Sequence, residues 1–190
     1  MATTATMMAG PAVQPRTQGL GLSVKDKVTI GLIGFFVLIA WTLEAYWLVH
    51  NNDMEAHNDI LQKALALYWP ADRTYRVPGH DTAKSFTLAL ESVNVCVTQL
   101  LQIWLVLAIV RKRHYRHVLQ LVLATYTWYG TFLYYYVAQI SGFAVFEYRG
   151  TYPFVMFYAC NAPWFIAYAW MAYESIRELG ARMRTAGAAA

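Results

Sequence analysis

The chain has 190 residues, 58% of them hydrophobic and 16% aromatic but only 14% charged, with a mean hydropathy of +0.32. Soluble domains carry roughly a quarter charged residues, so an ordinary soluble domain is excluded and an integral membrane protein is indicated. The net charge of +4 comes with no nucleic-acid-binding signature, and Cys96 and Cys160 lie in apolar segments, without disulfide-framework or zinc spacing.

Residues 1–24, rich in small residues, Gly and Pro, are expected to form a flexible tail rather than a secretory signal. Val28 to Val49 is the first spanning candidate, roughly 33 Å long at helical rise, and it carries a single charge, Glu44. Residues 51–83 form a polar loop in which Ile60 to Leu67 suits a short amphipathic helix, and the run from Tyr68 to His80 reads as irregular. The second span, Ser85 to Val110, carries Glu91, with Asn94, Thr98 and Gln102 on the same helical face. A basic turn comes next, then a tyrosine-rich third span from Val118 to Ile140 and a fourth from about Tyr152 to Ile176. The expected fold is an all-α integral membrane protein, a four-transmembrane-helix bundle with an intramembrane polar cavity over residues 25–177, and residues 178–190 form a second flexible tail.

With four spans, the N-terminal segment, the 111–117 turn and the C-terminal segment share a side carrying ten Lys and Arg residues, against five on the other. The positive-inside rule then makes both termini cytoplasmic. Glu44 and Glu91 come out at one depth, ~8–10 Å inside the opposite boundary, and Thr131, Tyr135, Asn161 and Trp164 lie near the same layer. Ionisable groups at membrane depth are functional by default, and two carboxyls together in an apolar pocket suit acid–base work, one holding a proton while the other is ionised. Asn161 can donate to a carboxylate or a substrate hydroxyl, and Trp164 and the tyrosines offer π faces to a cation. Asn94, Thr98 and Gln102 serve equally well as interhelical hydrogen-bond partners. Trp47, Trp69 and Tyr152 are expected in the interfacial belt, Pro163 to kink the last span, and His50 and His57 to lie at the mouth of the polar layer.

At these residues the chain resembles the emopamil-binding protein family, the sterol Δ8–Δ7 isomerases and their EXPERA-domain relatives. The resemblance runs from about Phe35 to Ile176. It rests on Leu43-Glu44-Ala45-Tyr46-Trp47, the Ala71–Tyr75 stretch, Ala89-Leu90-Glu91-Ser92, the segment Ala108–Leu121, Tyr129-Gly130 and Asn161-Ala162-Pro163-Trp164. It implies a cofactor-free reaction with Glu44 and Glu91 as acid–base carboxylates. Asn94, Tyr129, Thr131, Tyr135, Asn161 and Trp164 complete the expected substrate-binding set. It also implies an endoplasmic reticulum location. The family's isomerases have a fifth span, a histidine where Ala40 stands, a threonine at Asn94 and an acid at Thr131. These departures leave room for acid–base chemistry on another apolar substrate.

The expected function is therefore a cofactor-free isomerase or cyclase acting on a sterol, terpenoid or related molecule drawn from the bilayer. A non-enzymatic binder of sterols or amphiphilic amines is the alternative. No cofactor, metal or nucleic acid is expected. Membrane lipids are the other expected partner, and a homodimer is compatible with the pattern.

Overall fold

The computed structural model describes residues 21–79 and 81–188, and most of the expected N-terminal tail lies outside them. Among the described residues five α-helices account for the fold: α1 (Val24–His50), α2 (Ile60–Ala66), α3 (Thr82–Val110), α4 (Arg116–Ile140) and α5 (Thr151–Gly187). Their starts are set by the sequence. Ser23 caps α1 in a capping box with Asp26, and Asp59 and Asp81 accept from the first-turn N–H groups of α2 and α3.

Among the described residues, α1 and α3 are long and apolar enough to cross a membrane. With 25 residues, about 37 Å, α4 also has the length, but its tyrosines, threonines and glutamines lower its hydropathy. The segment expected as a C-terminal tail from residue 178 is helical through Gly187. Its alanines and arginines favour helix, and the helix runs through Gly180 without a break.

The long helices run up and down, and ion pairs mark one end of the bundle. Lys25 of α1 meets Glu174 of α5 at 2.6 Å, and Asp26 of α1 meets Arg116 of α4 at 3.1 Å. Beside that end the bundle packs dry, with Ile33 and Phe36, Leu105 and Ile109, Leu123, and Tyr168 in one cluster drawn from all four long helices. The Phe36 ring lies 4.8 Å from Trp164 and 5.1 Å from Tyr168, joining α1 to α5.

The opposite end is closed by the two long connections. The Arg73 backbone N–H donates to the Val145 carbonyl at 2.8 Å and Glu147 N–H to the Pro70 carbonyl at 3.1 Å. Arg76 pairs with both Glu55 and Glu147. Instead of lying over the surface, the segment after α2 turns inward: Ala71 and Asp72 are fully buried, and Thr74 and Tyr75 nearly so. Trp47, expected in the interfacial belt, is buried against the Tyr75 ring at 4.6 Å and donates to the Tyr75 carbonyl. The inward segment gives the indole N–H a partner that a lipid-facing position would lack.

Phe36→Ala is expected to lower stability by about 3–5 kcal/mol, whereas Leu38→Ala, on a side chain 60% exposed, should stay within about 0.5 kcal/mol. Denaturation midpoints in detergent check both. Asp59 is held below its ordinary value of 3.8 by the Tyr46 hydroxyl first and then by the N–H of Gln62. A depressed carboxylate stabilises the fold above its unfolded value and loses that contribution as pH falls through its folded value. Asp59→Ala should therefore melt below the wild type at pH 7, and the difference should close as pH falls from 3.8 downward.

Candidate active site

Between the dry half of the bundle and the capped end, the helices diverge around a cavity of about 670 Å³. That volume is in the range of sites for drug-sized ligands. Each long helix gives its dry-core residues on one side of a boundary and its cavity residues on the other: Ile33 and Phe36, then Ile39 to Glu44, on α1; Leu105 and Ile109 against Glu91 to Thr98 on α3. The walls are mostly aliphatic and aromatic. Leu67, Val93, Tyr126 and Tyr129 line the cavity and are also exposed on the flank of the bundle, so its mouth opens sideways.

Two π-helical turns shape the wall. In α1 the turn is Ala40–Glu44, closed by a bond from the Ala45 N–H to the Ala40 carbonyl, and in α3 it is Asn94–Thr98, closed from Gln99 to Asn94. Such turns insert one residue into the helix and rotate the residues beyond it, and they recur at functional sites. Here they pack against one another, and the Trp41 indole donates to the Val95 carbonyl at 3.3 Å. The result sets Glu44 at the end of one turn against Asn94 at the start of the other. The Asn94 amide donates to Glu44 Oε2 at 2.5 Å and is itself held by Gln99 at 3.1 Å.

Glu91, buried one turn earlier on α3, lines the same cavity as Glu44. Glu91 Oε1 also accepts from the Tyr75 hydroxyl, delivered by the inward-turned segment.

A second chain of hydrogen bonds runs beneath the first. Asn161 donates to the Phe157 carbonyl at 2.8 Å and to the Tyr68 hydroxyl at 2.9 Å. Tyr68 is 3.2 Å from the Tyr134 hydroxyl, whose own proton goes to Asp72, so Tyr68 is the donor between the tyrosines. Asp72 accepts in addition from the Thr74 N–H at 2.8 Å and the Thr74 hydroxyl at 2.6 Å. Burial still pushes the Asp72 carboxyl above the usual range, against those bonds.

Glu44, Glu91, Asn94, Tyr129, Thr131, Asn161 and Trp164 thus share one cavity. Tyr135 does not. Its hydroxyl donates to the Tyr158 carbonyl and its ring packs on Phe157 and Tyr158, because the cavity-lining positions of α4 run from Tyr126 to Tyr134, and position 135 is turned about 100° beyond Tyr134. Depth along the helix locates the layer but not the rotation. Gln102 likewise leaves the cavity and donates to Tyr168 at 2.6 Å. Tyr68, Asp72, Tyr75 and Tyr134 belong to the site although residue pattern alone does not single them out. The available signal is an aspartate between two tyrosines in a short Pro-containing stretch, and the partners of a loop cannot be assigned by helical spacing.

A cavity that opens on the flank of the bundle and holds two carboxyls, walled by helices of which two are long and apolar enough to cross a membrane, fits an integral membrane protein. The chain belongs to the EXPERA (EXPanded EBP superfamily) family, EBP, which it matches over residues 60–175. It is 32% identical over 95 residues to the 3-beta-hydroxysteroid-Delta(8),Delta(7)-isomerase of Rattus norvegicus, covering 50% of this chain and 41% of that one. The Mus musculus protein of the same name is 25% identical over 138 residues, 72% of this chain and 58% of its own length. The chain therefore spans about half the length of these relatives.

Tyr75→Phe removes the hydroxyl donor of a buried carboxyl. It should cost about 1.5–3 kcal/mol, read as a lower denaturation midpoint, whereas Tyr129→Phe, on an exposed ring, should leave the midpoint within about 0.5 kcal/mol.

Proposed function

We propose that this protein is a cofactor-free acid–base isomerase or cyclase, acting on a sterol, terpenoid or similarly apolar molecule that enters the cavity sideways from the bilayer. The observation that carries the reading is that Glu44 and Glu91 both stand in the wall of one large, mostly apolar cavity. The similarity to sterol isomerases supports the same class of chemistry. In this reading one carboxyl delivers a proton to an alkene or epoxide carbon skeleton, positive charge develops on the substrate, and the other carboxyl removes a proton elsewhere. Glu91, which accepts from the Tyr75 phenol, is the better placed to carry the negative charge, leaving Glu44 as the proton donor. Trp164 supplies a π face to the developing cation, and Asn161, held on Tyr68, anchors a polar group of the substrate. Water is kept away by the apolar wall, which strengthens every charge interaction within it.

All four long helices cross the membrane in this reading, which we place in the endoplasmic reticulum with both termini cytoplasmic. The basic residues clustered at the end carrying Lys25, the 111–116 turn and Arg177 support that orientation. Ala40 is fully buried in the α1 π turn, where the family's isomerases place a histidine, so the proton inventory of this pocket is the two glutamates and the tyrosines around them. That difference favours a substrate other than the one named for the rodent relatives. It equally suits a second reading, a non-enzymatic binder whose carboxyl pair meets the ammonium of an amphiphilic amine.

Membranes carrying the wild type, Glu44→Gln or Glu91→Gln should be incubated with Δ8 sterols and with linear and epoxidised terpenoids, and the products tracked by mass spectrometry. Each substitution should slow turnover at least ~10²-fold. Undiminished turnover in both variants sinks the mechanism, and tight amine binding without any product favours the binder.

A further inference from the structure

At the capped end, outside the cavity wall, three potential metal ligands converge: His50, Asp53 and His57, whose donor atoms all lie within 4.8 Å of one another. The chain wraps to bring them together. His50 ends α1, Asp53 comes after a turn in which its N–H donates to the His50 carbonyl at 3.1 Å, and His57 stands beyond a single 3₁₀ turn, Met54–Ala56.

His50 Nδ1 is 3.5 Å from one Asp53 oxygen and His57 Nε2 is 3.4 Å from the other. Good N–H···O bonds end near ~3.2 Å, so neither contact is one. The separations fit a coordination edge instead. Bonds of ~2.0–2.1 Å to a tetrahedral zinc ion place neighbouring donors ~3.3–3.4 Å apart. His57 Nε2 is also shielded from solvent without a hydrogen-bond partner, a state that calls for an explanation in any folded protein.

We propose that His50, Asp53 and His57 bind a divalent transition-metal ion of the zinc class. Two imidazoles and one carboxylate suit zinc and its neighbours and disfavour Ca²⁺ and Mg²⁺, which take oxygen ligands. The Asp53 side chain is 59% exposed, which leaves a face for water as a fourth ligand. Tyr46, one turn back on α1, packs against both imidazoles, with ring centroids 4.7 and 5.9 Å away, and its hydroxyl donates to Asp59, the cap of α2. A bound ion therefore staples the end of α1 to the segment that starts α2, and both helices wall the cavity. This site is separate from Glu44 and Glu91, and it stands or falls independently of the reaction proposed for them.

The full chain, purified without a polyhistidine tag and placed in lipid nanodiscs, should be titrated with Zn²⁺ against a chromophoric chelator, and with Co²⁺ while the visible absorption is recorded. The wild type should bind one ion per chain and give tetrahedral Co²⁺ bands, and Zn²⁺ should raise its thermal midpoint. The double change His50→Ala/His57→Ala should abolish all three effects. Asp53→Asn should weaken binding by more than the ~10–100-fold that outer-shell changes cost. His57→Gln, expected to melt like the metal-free wild type, keeps the comparison valid should the double variant misfold, and it should also lose the bands. Wild-type affinity and stoichiometry retained in a folded His57→Gln or double variant overturns the site, as does the absence of saturable wild-type binding below millimolar Zn²⁺.

Discussion

The placement of two carboxyl groups, Glu44 and Glu91, in the wall of one mostly apolar cavity is the constraint on which the rest of the structure depends. Carboxyls in a low-dielectric site are costly unless their lone pairs find donors. Asn94 serves Glu44 and Tyr75 serves Glu91. Both donors come at a structural cost, since Asn94 reaches Glu44 through a π turn and Tyr75 arrives on a segment that must bury backbone inside the bundle. The inward segment in turn is held by Asp72, whose three accepted bonds offset the burial of its charge.

The bundle divides its labour along its length. One half is packed by Phe36, Leu105, Leu123 and Tyr168, and keeps the helices in register. The other is hollow, with its stability supplied by the loops, where Arg73 and Arg76 lock the two long connections together. A cavity with a dry floor, a tied roof and an open flank suits the proposed sideways entry of apolar molecules.

Much of this is legible from residue types alone. Composition points to a membrane class. Apolar runs and turn residues mark the four long helices and the short α2, and counting residues to the ends of the spans puts Glu44 and Glu91 at one depth. The features that escape such reading have a common cause. Helical counting fixes depth well but rotation poorly, and two π turns and a tyrosine pair at 134 and 135 depend on rotation, so Tyr134 faces inward where Tyr135 is expected. The partners of Trp47, Asp72 and Tyr75 are tertiary, set by a loop folding inward, and no local pattern encodes that. The helical continuation to Gly187 is written in good helix-forming residues, but its polarity reads equally as a tail.

The proposed acid–base chemistry requires Glu44 and Glu91 to hold a single proton between them, which is open to direct measurement by infrared spectroscopy of the protein in nanodiscs at neutral pH, in H₂O and D₂O, with the two glutamine variants alongside. A shared proton predicts a protonated-carboxyl C=O stretch in the wild type that shifts on deuteration and is lost or displaced in Glu44→Gln and in Glu91→Gln alike. A wild-type spectrum holding only ionised carboxylate bands, or a protonated band unchanged in both variants, would contradict it.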